Sequence, residues 1–272
     1  MKEYKITGGG GAQLHVVETG NSGGRPLLFI HGFSQCWLAW SRQINSALAG
    51  DYRIVAMDLR GHGLSDKPRE GYDDSKLWAD DVNAVIQSLS LDHPLLCGWS
   101  YGSLVILDYI RHYTEEQIAG SQFVGGITKL GSDEAMSVIT PEFLSLAPGF
   151  FSNDVGESVR SLESLLGLCF TQQPTAEELY LMLGWNLSVP PYVRQALFSR
   201  SFDNDDILPK IGKPVLITHG ESDAIVSPVA ADQHKAGISH AQLHMMASAG
   251  HAPFWDDAAG FNERLKAFAE SL

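Results

Sequence analysis

Five short, mostly apolar runs recur along this 272-residue chain, and stretches with helical periodicity separate them. The runs occupy residues 27–30, 53–57, 95–99, 123–129 and 215–218. Runs this short and this apolar are typical of strands buried on both faces of a parallel sheet. Between them, the apolar residues of 77–89 fall largely on one helical face, and 103–110 is apolar nearly all round. The alternation predicts an α/β fold with a mostly parallel, doubly wound sheet.

Both ends of the chain extend this pattern. Residues 13–19 alternate partly between polar and apolar side chains, which predicts an early antiparallel strand. A weaker apolar run at 242–246 predicts a last strand, and an amphipathic helix is predicted for 256–272. The glycine run at 8–11 is interpreted as a turn.

One long stretch interrupts the alternation of strand and helix. Residues 133–208 show helical patterns without a convincing strand and are rich in aromatic and methionine side chains. A crossover between parallel strands needs only about a dozen residues. We therefore predict an α/β core of residues 1–132 and 209–272, with residues 133–208 inserted as a helical lid. Ordinary helices with an ordinary core remain the alternative interpretation for most of these side chains.

The charge balance argues against a polyanionic partner, but it does not identify a substrate. Nineteen Lys and Arg residues face 32 Asp and Glu residues, a formal net charge of −13. This charge repels nucleic acids and anionic membranes. No stretch is long and apolar enough for a signal sequence or a membrane span, which predicts a cytoplasmic protein. The three cysteines are too scattered to predict disulfides or a zinc site. The sequence does not indicate the oligomeric state.

Residues 98–102 read G-W-S-Y-G, directly after a predicted buried strand and directly before an apolar helix. A sharp strand-to-helix turn places the central serine in a strained conformation, and the flanking glycines allow other backbone to approach closely. The hydroxyl of Ser100 then stands above the sheet at a helix N-terminus. G-x-S-x-G also occurs by chance in loops, but the strand and helix around it favour a nucleophile.

A serine nucleophile needs a base and an acid, and we predict His251 and Asp223 for these roles. His251 lies in a glycine-bearing loop between the last strand and the last helix, on the nucleophile's side of the sheet. His31 and His219 also follow strands, and we interpret both as shaping turns. Asp223 follows the strand that ends at residue 218.

Two further carboxylates are rival candidates for the acid. Glu221 is near Asp223, and Asp133 follows the preceding strand end, which faces the same site.

The remaining site predictions concern the oxyanion hole and the walls of the pocket. The backbone N–H groups of Phe33, in the loop after the first buried strand, and of Tyr101, after the nucleophile, are the expected oxyanion donors. Substrate contacts are predicted for a set of aromatic side chains near the nucleophile or in the lid. This set consists of Trp99, Trp37, Phe143, Phe150 and Phe151.

Five motifs together make the chain resemble the α/β-hydrolase superfamily over nearly its whole length. They are H-G-F at 31–33, D-L-R-G-H-G-L-S-D at 58–66, G-W-S-Y-G at 98–102, H-G-E-S-D-A-I-V at 219–226 and G-H-A-P-F at 250–254. The likeness is greatest to a branch with small esterases, cofactor-free haloperoxidase-like perhydrolases and carbon–carbon bond hydrolases. Haloalkane dehalogenases and epoxide hydrolases place Asp at the nucleophile position, so Ser100 argues against both. Ser103 departs from the second glycine of many relatives.

The resemblance implies a serine hydrolase that cleaves a small, partly apolar ester through an acyl-enzyme, with no metal or organic cofactor. The chain order Ser100, Asp223, His251 is the one expected for this fold. The 58–66 motif is interpreted as turn chemistry, not as a metal site. A carbon–carbon bond hydrolase or a perhydrolase would use the same three residues. A ligand-sensing receptor with a mobile lid is an alternative from another functional class.

Overall fold

The computed structural model describes residues 1–272, and an eight-stranded sheet runs through its centre. The strand order is β1-β2-β4-β3-β5-β6-β7-β8, in which β2 is antiparallel to both of its neighbours, β1 and β4, and all other neighbouring strands pair in parallel. The strands are β1 Lys2–Thr7, β2 Gln13–Gly20, β3 Pro26–Ile30, β4 Arg53–Met57, β5 Leu95–Trp99, β6 Gly120–Val124, β7 Val215–Gly220 and β8 Gln242–Met246. The predicted mostly parallel α/β sheet is confirmed.

Thirteen α-helices surround the sheet. They are α1 Ser41–Ile44, α2 Leu48–Asp51, α3 Ser75–Ser88, α4 Tyr101–Tyr113, α5 Asp133–Met136, α6 Pro141–Ser145, α7 Ala147–Phe151, α8 Val155–Cys169, α9 Ala176–Leu187, α10 Pro191–Phe198, α11 Val229–Gly237, α12 Pro253–Asp256 and α13 Ala258–Glu270. Short 3₁₀ turns span Gly9–Gly11, Trp37–Trp40 and Leu208–Lys210. No helix combines the length and the apolar character that a bilayer crossing requires.

The central strands are apolar because both of their faces are covered. Every residue of β3, β5, β6 and β7 is buried, as expected for parallel strands between two helical layers. Two polar side chains inside this layer pair with each other: the Gln122 amide donates to Thr218 Oγ1 at 3.0 Å. This layer holds the carboxyl ends of its strands in a fixed row.

The structure corrects two sequence predictions about strands. The strand predicted at 123–129 is β6, Gly120–Val124, because Gly125 turns the chain away with a φ of +49°. Residues 2–7, for which no strand was predicted, form β1 and pair along their whole length with β2. Their polar side chains are mostly exposed at the edge of the sheet, so the apolar signal of a strand is missing.

Helices α5 to α10 all lie between β6 and β7, in the segment for which a lid is predicted. Isolated bridges connect this segment to the core near both of its ends, Leu130 with Phe202 and Ile139 with Val226. Its middle contacts loops that follow the core strands, for example through the Trp185 indole, which donates to Gln35 Oε1 at 2.9 Å. The segment therefore lies over the carboxyl ends of the parallel strands.

Candidate active site

Ser100 stands in a strained turn between β5 and α4. Its φ of 53° and ψ of −114° fall in a region that residues with a side chain rarely adopt. The turn is tight on both sides: a Cβ on Gly98 would lie 2.6 Å from the backbone of Gly102, and one on Gly102 would lie 2.4 Å from the Ile30 carbonyl oxygen. Only glycine fits at these two positions. The turn raises Ser100 above the sheet, at the N-cap of α4.

His251 and Asp223 are hydrogen bonded at the neighbouring strand ends. His251 Nδ1 lies 2.8 Å from Asp223 Oδ2, and both side chains are buried. The other carboxylate oxygen, Oδ1, accepts the backbone N–H groups of Ile225 and Val226 at 2.8 and 2.9 Å. Three hydrogen bonds thus fix the carboxylate plane, and the carboxylate in turn sets the orientation of the His251 ring.

A second imidazole shares the carboxylate. His219 Nε2 lies 3.0 Å from Asp223 Oδ2 and also 3.0 Å from the Val226 carbonyl oxygen. Burial by itself raises the pKa of Asp223, but the His251 and His219 rings outweigh it and hold this pKa below its ordinary value. Burial likewise lowers the pKa of His219, and its hydrogen bond to Asp223 reverses the direction, so the net pKa is raised. Asp223 is therefore ionised at neutral pH.

The rival acids lie elsewhere. Asp133 and Glu221 are both exposed, and neither makes a hydrogen bond to His251. His219, which the sequence analysis interprets as a turn former, contacts the carboxylate directly. The signal for it was its spacing of four residues from Asp223 across a turn that follows a buried strand.

The loop that carries His251 is attached to its surroundings on two sides. The indole N–H of Trp99, next to the candidate nucleophile, donates to the His251 carbonyl oxygen at 2.9 Å. The carboxylate of Asp256 accepts the N–H of Gly250 at 2.8 Å and the N–H of Thr171, beyond the end of α8, at 3.0 Å. These bonds position the imidazole relative to Ser100.

No hydrogen bond joins Ser100 Oγ to His251 in this structure, although the two residues border one cavity. In the substrate-free state, hydrogen bonds of catalytic groups are often long and shorten only around a bound substrate.

The loop after β3 brings a free backbone donor next to Ser100. A Cβ on Gly32 would lie 3.2 Å from Ser100 Cβ, so the loop passes directly over the serine. The N–H of Phe33 donates to no acceptor of the chain, and the N–H of Tyr101 belongs to the first turn of α4, where helices leave such groups unpaired. Neither N–H group donates to an acceptor within the chain.

Two buried histidines support the same loop. His31 Nε2 accepts the N–H of Leu59 at 3.0 Å, and His62 Nε2 accepts the N–H of Ser34 at 3.3 Å. Burial lowers the pKa of both rings, for His62 to about 3. Both imidazoles are therefore neutral and able to accept, in keeping with the structural role expected for this region.

Two small cavities meet at Ser100. The larger cavity, of about 50 Å³, is bordered by Phe33, Ser100, Tyr101, Ile127, Leu130, Met136, Ile139, Phe143, Leu197, Phe198, Ile225 and Val226. The smaller cavity, of about 30 Å³, is bordered by Gly32, Phe33, Gln35, Trp99, Ser100, Phe143, Leu165, Cys169, Ile225 and His251. Together they form a space between the core and the helical segment. No group of three or more His, Cys, Asp or Glu side chains is arranged to hold a metal ion.

The predicted pocket residues divide into three groups. Trp99 and Phe143 border the cavities. Phe150 and Phe151 lie one layer behind, with Phe150 packed on Phe33 at 5.6 Å and Phe151 on Phe198 at 5.4 Å between ring centroids. The structure places Trp37 away from both cavities.

The Trp37 ring packs instead near the ring of His15, at 6.3 Å between centroids, and the backbone N–H of Trp37 donates to Asp58 Oδ1 at 2.8 Å. The helical position of Trp37 after the β3 loop explains the difference, because its side chain packs against the core. Phe198, Leu130 and Ile225 also border the larger cavity and were not predicted from the sequence. No motif contains Phe198 or Leu130, whereas Ile225 lies in the 219–226 motif, two residues after Asp223.

Comparison with known proteins agrees with this arrangement. A model of the alpha/beta hydrolase fold family matches residues 25–258. The crystal structure of the esterase RhEst1 from Rhodococcus sp. ECU1013 superimposes with a TM-score of 0.95, at 35% identity and over 100% of both chains. The AB hydrolase superfamily protein YisY of Bacillus subtilis is 28% identical over 272 residues, 95% of this chain and 96% of its own.

A third relative, a non-heme chloroperoxidase of Kitasatospora aureofaciens, is 28% identical over 258 residues, 90% of this chain and 92% of its own. The esterase and hydrolase relatives support a hydrolytic enzyme. The family match covers most of the sequence, and the chain therefore belongs to the α/β-hydrolase fold family.

Proposed function

We propose that this protein is a serine esterase that hydrolyses small, partly apolar esters through an acyl-enzyme intermediate. The observation that carries the proposal is the 2.8 Å contact between His251 Nδ1 and Asp223 Oδ2, beside a cavity that His251 shares with Ser100. An ionised carboxylate on Nδ1 keeps the proton there and leaves Nε2 free to accept. Nε2 is the atom that a serine hydroxyl needs as its base.

The reaction has two halves in this proposal. Ser100 Oγ attacks the acyl carbon while His251 Nε2 takes the hydroxyl proton, and the N–H groups of Phe33 and Tyr101 stabilise the oxyanion. His251 then returns the proton to the leaving alkoxide, which departs as the alcohol. Water repeats the sequence on the acyl-enzyme and releases the acid. The residues of the helical segment that border the cavities act as a lid, because they exclude water from the reacting groups.

Active-site labelling tests the proposal. A fluorophosphonate probe is expected to label Ser100 alone, as identified by mass spectrometry, and to abolish hydrolysis of methyl butyrate measured with a pH indicator. Ser100→Ala is expected to lose turnover and labelling while keeping the thermal unfolding temperature of the parent. Labelling of another residue, or full turnover by Ser100→Ala, would contradict the assignment.

Perhydrolysis is the second candidate, and the chloroperoxidase relative is the observation that favours it. Hydrogen peroxide would replace water in the second half and release a peroxy acid from Ser100. The test mixes the protein with acetate and peroxide and follows bromide oxidation by the peroxy acid. Halide oxidation at a rate above that of methyl acetate hydrolysis would favour this activity over the esterase. A large thermal stabilisation by a ligand, combined with no turnover, would favour a receptor instead.

A further inference from the structure

The two cavities at Ser100 differ in which catalytic groups border them. Phe33 and Ser100 border both, whereas Tyr101 borders only the larger cavity and His251 borders only the smaller one. Both residues with predicted oxyanion donors thus border the larger cavity, whereas the base borders the smaller one. This difference between the two cavities sets the orientation in which a substrate binds at Ser100.

We propose that the larger cavity binds the acyl tail of the substrate and the smaller cavity binds the leaving alcohol, so that the enzyme selects small esters of short, uncharged acids. This assignment rests on the proposed serine esterase activity. The leaving oxygen must receive a proton from His251, so it lies on the side of the smaller cavity. The carbonyl oxygen accepts hydrogen bonds from the oxyanion donors. The larger cavity is then the space that remains for the acyl tail.

The chemistry of the larger cavity limits the tail to apolar groups. Eleven of its 12 bordering residues are hydrophobic, and Ser100 is the exception. The hydroxyl of Tyr101 accepts a hydrogen bond from Arg200 at 3.1 Å, and the Arg200 charge is already paired with the buried Asp108 carboxylate at 2.9 Å. A carboxylate on the tail would lose its hydration here without gaining a hydrogen bond or a counter-ion. Esters of monocarboxylic acids are therefore preferred over half-esters of dicarboxylic acids.

The size of the larger cavity limits the tail to a short chain. Its volume of about 50 Å³ is roughly a third of the ~150 Å³ that encloses one benzene ring in a protein core. A tail of about two to four carbon atoms fills this space.

The walls of the larger cavity are fixed by packing and by backbone hydrogen bonds. The rings of Phe33, Phe143 and Phe198 pack on one another at 5.9 to 6.4 Å. The Thr140 N–H also donates to the Ile225 carbonyl oxygen at 3.0 Å. Longer tails would have to displace these groups.

The smaller cavity is bordered by a larger share of polar residues than the larger cavity. Gln35, Cys169 and His251 border it, and its volume is about 30 Å³. The side-chain oxygen of Gln35 already accepts the Trp185 indole N–H, so the Gln35 amide is fixed in place. A leaving alcohol the size of methanol or ethanol fits this space, whereas a long alkyl alcohol does not.

Two ester series measured with a pH indicator separate the two cavities. The first series contains methyl esters of linear acids from acetic to decanoic, and the second contains acetates of alcohols from methanol to hexanol. For the parent enzyme, kcat/KM is expected to fall at least about tenfold between butyrate and octanoate in the first series, and similarly beyond ethyl acetate in the second. Monomethyl succinate is expected to be cleaved at least about tenfold more slowly than methyl butyrate.

Two variants enlarge the cavities one at a time. Met136→Ala widens only the larger cavity and is expected to extend the acyl series while leaving the alcohol series unchanged. Leu165→Ala widens only the smaller cavity and is expected to do the reverse. Leu165→Val is measured alongside, because Leu165 is 3% exposed and a large truncation there destabilises the core. Leu181→Ala, at a position 60% exposed, is the matched control that changes neither series.

The outcomes distinguish the assignment from the activity on which it rests. If Met136→Ala changes the alcohol series, or if both parent series are flat, the cavity assignment is wrong while the esterase activity stands. If the parent cleaves no ester and the fluorophosphonate does not label Ser100, the proposed function itself fails.

Discussion

Replacement of Asp223 by asparagine is expected to inactivate the enzyme because of the way the backbone orients this side chain. Oδ1 accepts two backbone N–H groups, from Ile225 and Val226, so this position can hold only an acceptor. In Asp223→Asn the amide oxygen therefore occupies the Oδ1 site. The amide NH₂ is left at the Oδ2 site, 2.8 Å from His251 Nδ1.

The size of the effect follows from the tautomer that this geometry selects. An N–H that points at Nδ1 requires a lone pair there, so the ring proton moves to Nε2. A protonated Nε2 cannot take the proton of Ser100, and the same change in a serine protease lowers kcat by about 10⁴-fold. The loss corresponds to about 5.5 kcal/mol of transition-state stabilisation. The reverse amide orientation would place two N–H groups against those of Ile225 and Val226, which is more costly.

The assay compares kcat/KM for methyl butyrate and the rate of fluorophosphonate labelling between the parent and Asp223→Asn. We expect both rates to fall by about 10⁴-fold, with an unchanged circular dichroism spectrum, because the bonds to Ile225 and Val226 are kept. Asp133→Asn, at the exposed rival acid, is the matched control and is expected to retain full activity. A loss of less than tenfold in Asp223→Asn would refute the proposed role of the carboxylate.

Three further predictions concern stability and the position of the base. Arg200→Met leaves the buried Asp108 carboxylate unpaired and is expected to lower the free energy of unfolding, measured in urea, by about 3–5 kcal/mol. The double variant Arg200→Met, Asp108→Leu is expected to regain most of the lost stability. Since the folded chain holds the pKa of Asp223 below its ordinary value, the stability from this group is present above about pH 4 and is lost as the pH falls further. The free energy of unfolding is therefore expected to change less with pH below pH 4 in Asp223→Asn than in the parent, by up to about 1.4 kcal/mol per pH unit. The same pH dependence in both proteins would contradict this. Trp99→Phe removes the N–H that holds the His251 carbonyl oxygen and is expected to lower kcat about tenfold. Because Trp99 also borders the smaller cavity, a change in KM with an unchanged kcat would show that substrate contact, and not the position of His251, is what the substitution affects.

Most of the fold is predictable because its signals are local. The apolar runs at 27–30, 53–57 and 95–99 correspond closely to β3, β4 and β5, since a strand covered on both faces must be apolar throughout. The β6 boundary is shifted because the apolar residues after Gly125 belong to a loop that packs under the helical segment. An apolar run alone does not distinguish these two situations.

The residues of the candidate site are predictable only where they lie in sequence motifs. Ser100, Asp223 and His251 are predicted as site residues from the turns in which they lie, and the structure brings Asp223 and His251 into contact. The lining of the larger cavity comes from separate stretches of chain, such as Leu130 before α5 and Phe198 at the end of α10. Their meeting depends on how the helices pack, which no local pattern encodes. For the same reason, two residues predicted to line the pocket do not border it: Phe150 packs behind Phe33, and Trp37 packs against the core.

The polar edge strand β1 has a consequence for aggregation. An outermost strand presents a row of unpaired N–H and C=O groups to which another chain can add. In β1 this edge carries Lys2, Glu3 and Lys5, all exposed, so an approaching strand would have to desolvate charges. The charged side chains that conceal this strand from pattern-based prediction thus also discourage the sheet from growing into fibrils. Substituting Lys2 and Lys5 with valine or threonine would make the edge adhesive, although neither side chain belongs to the hydrophobic core.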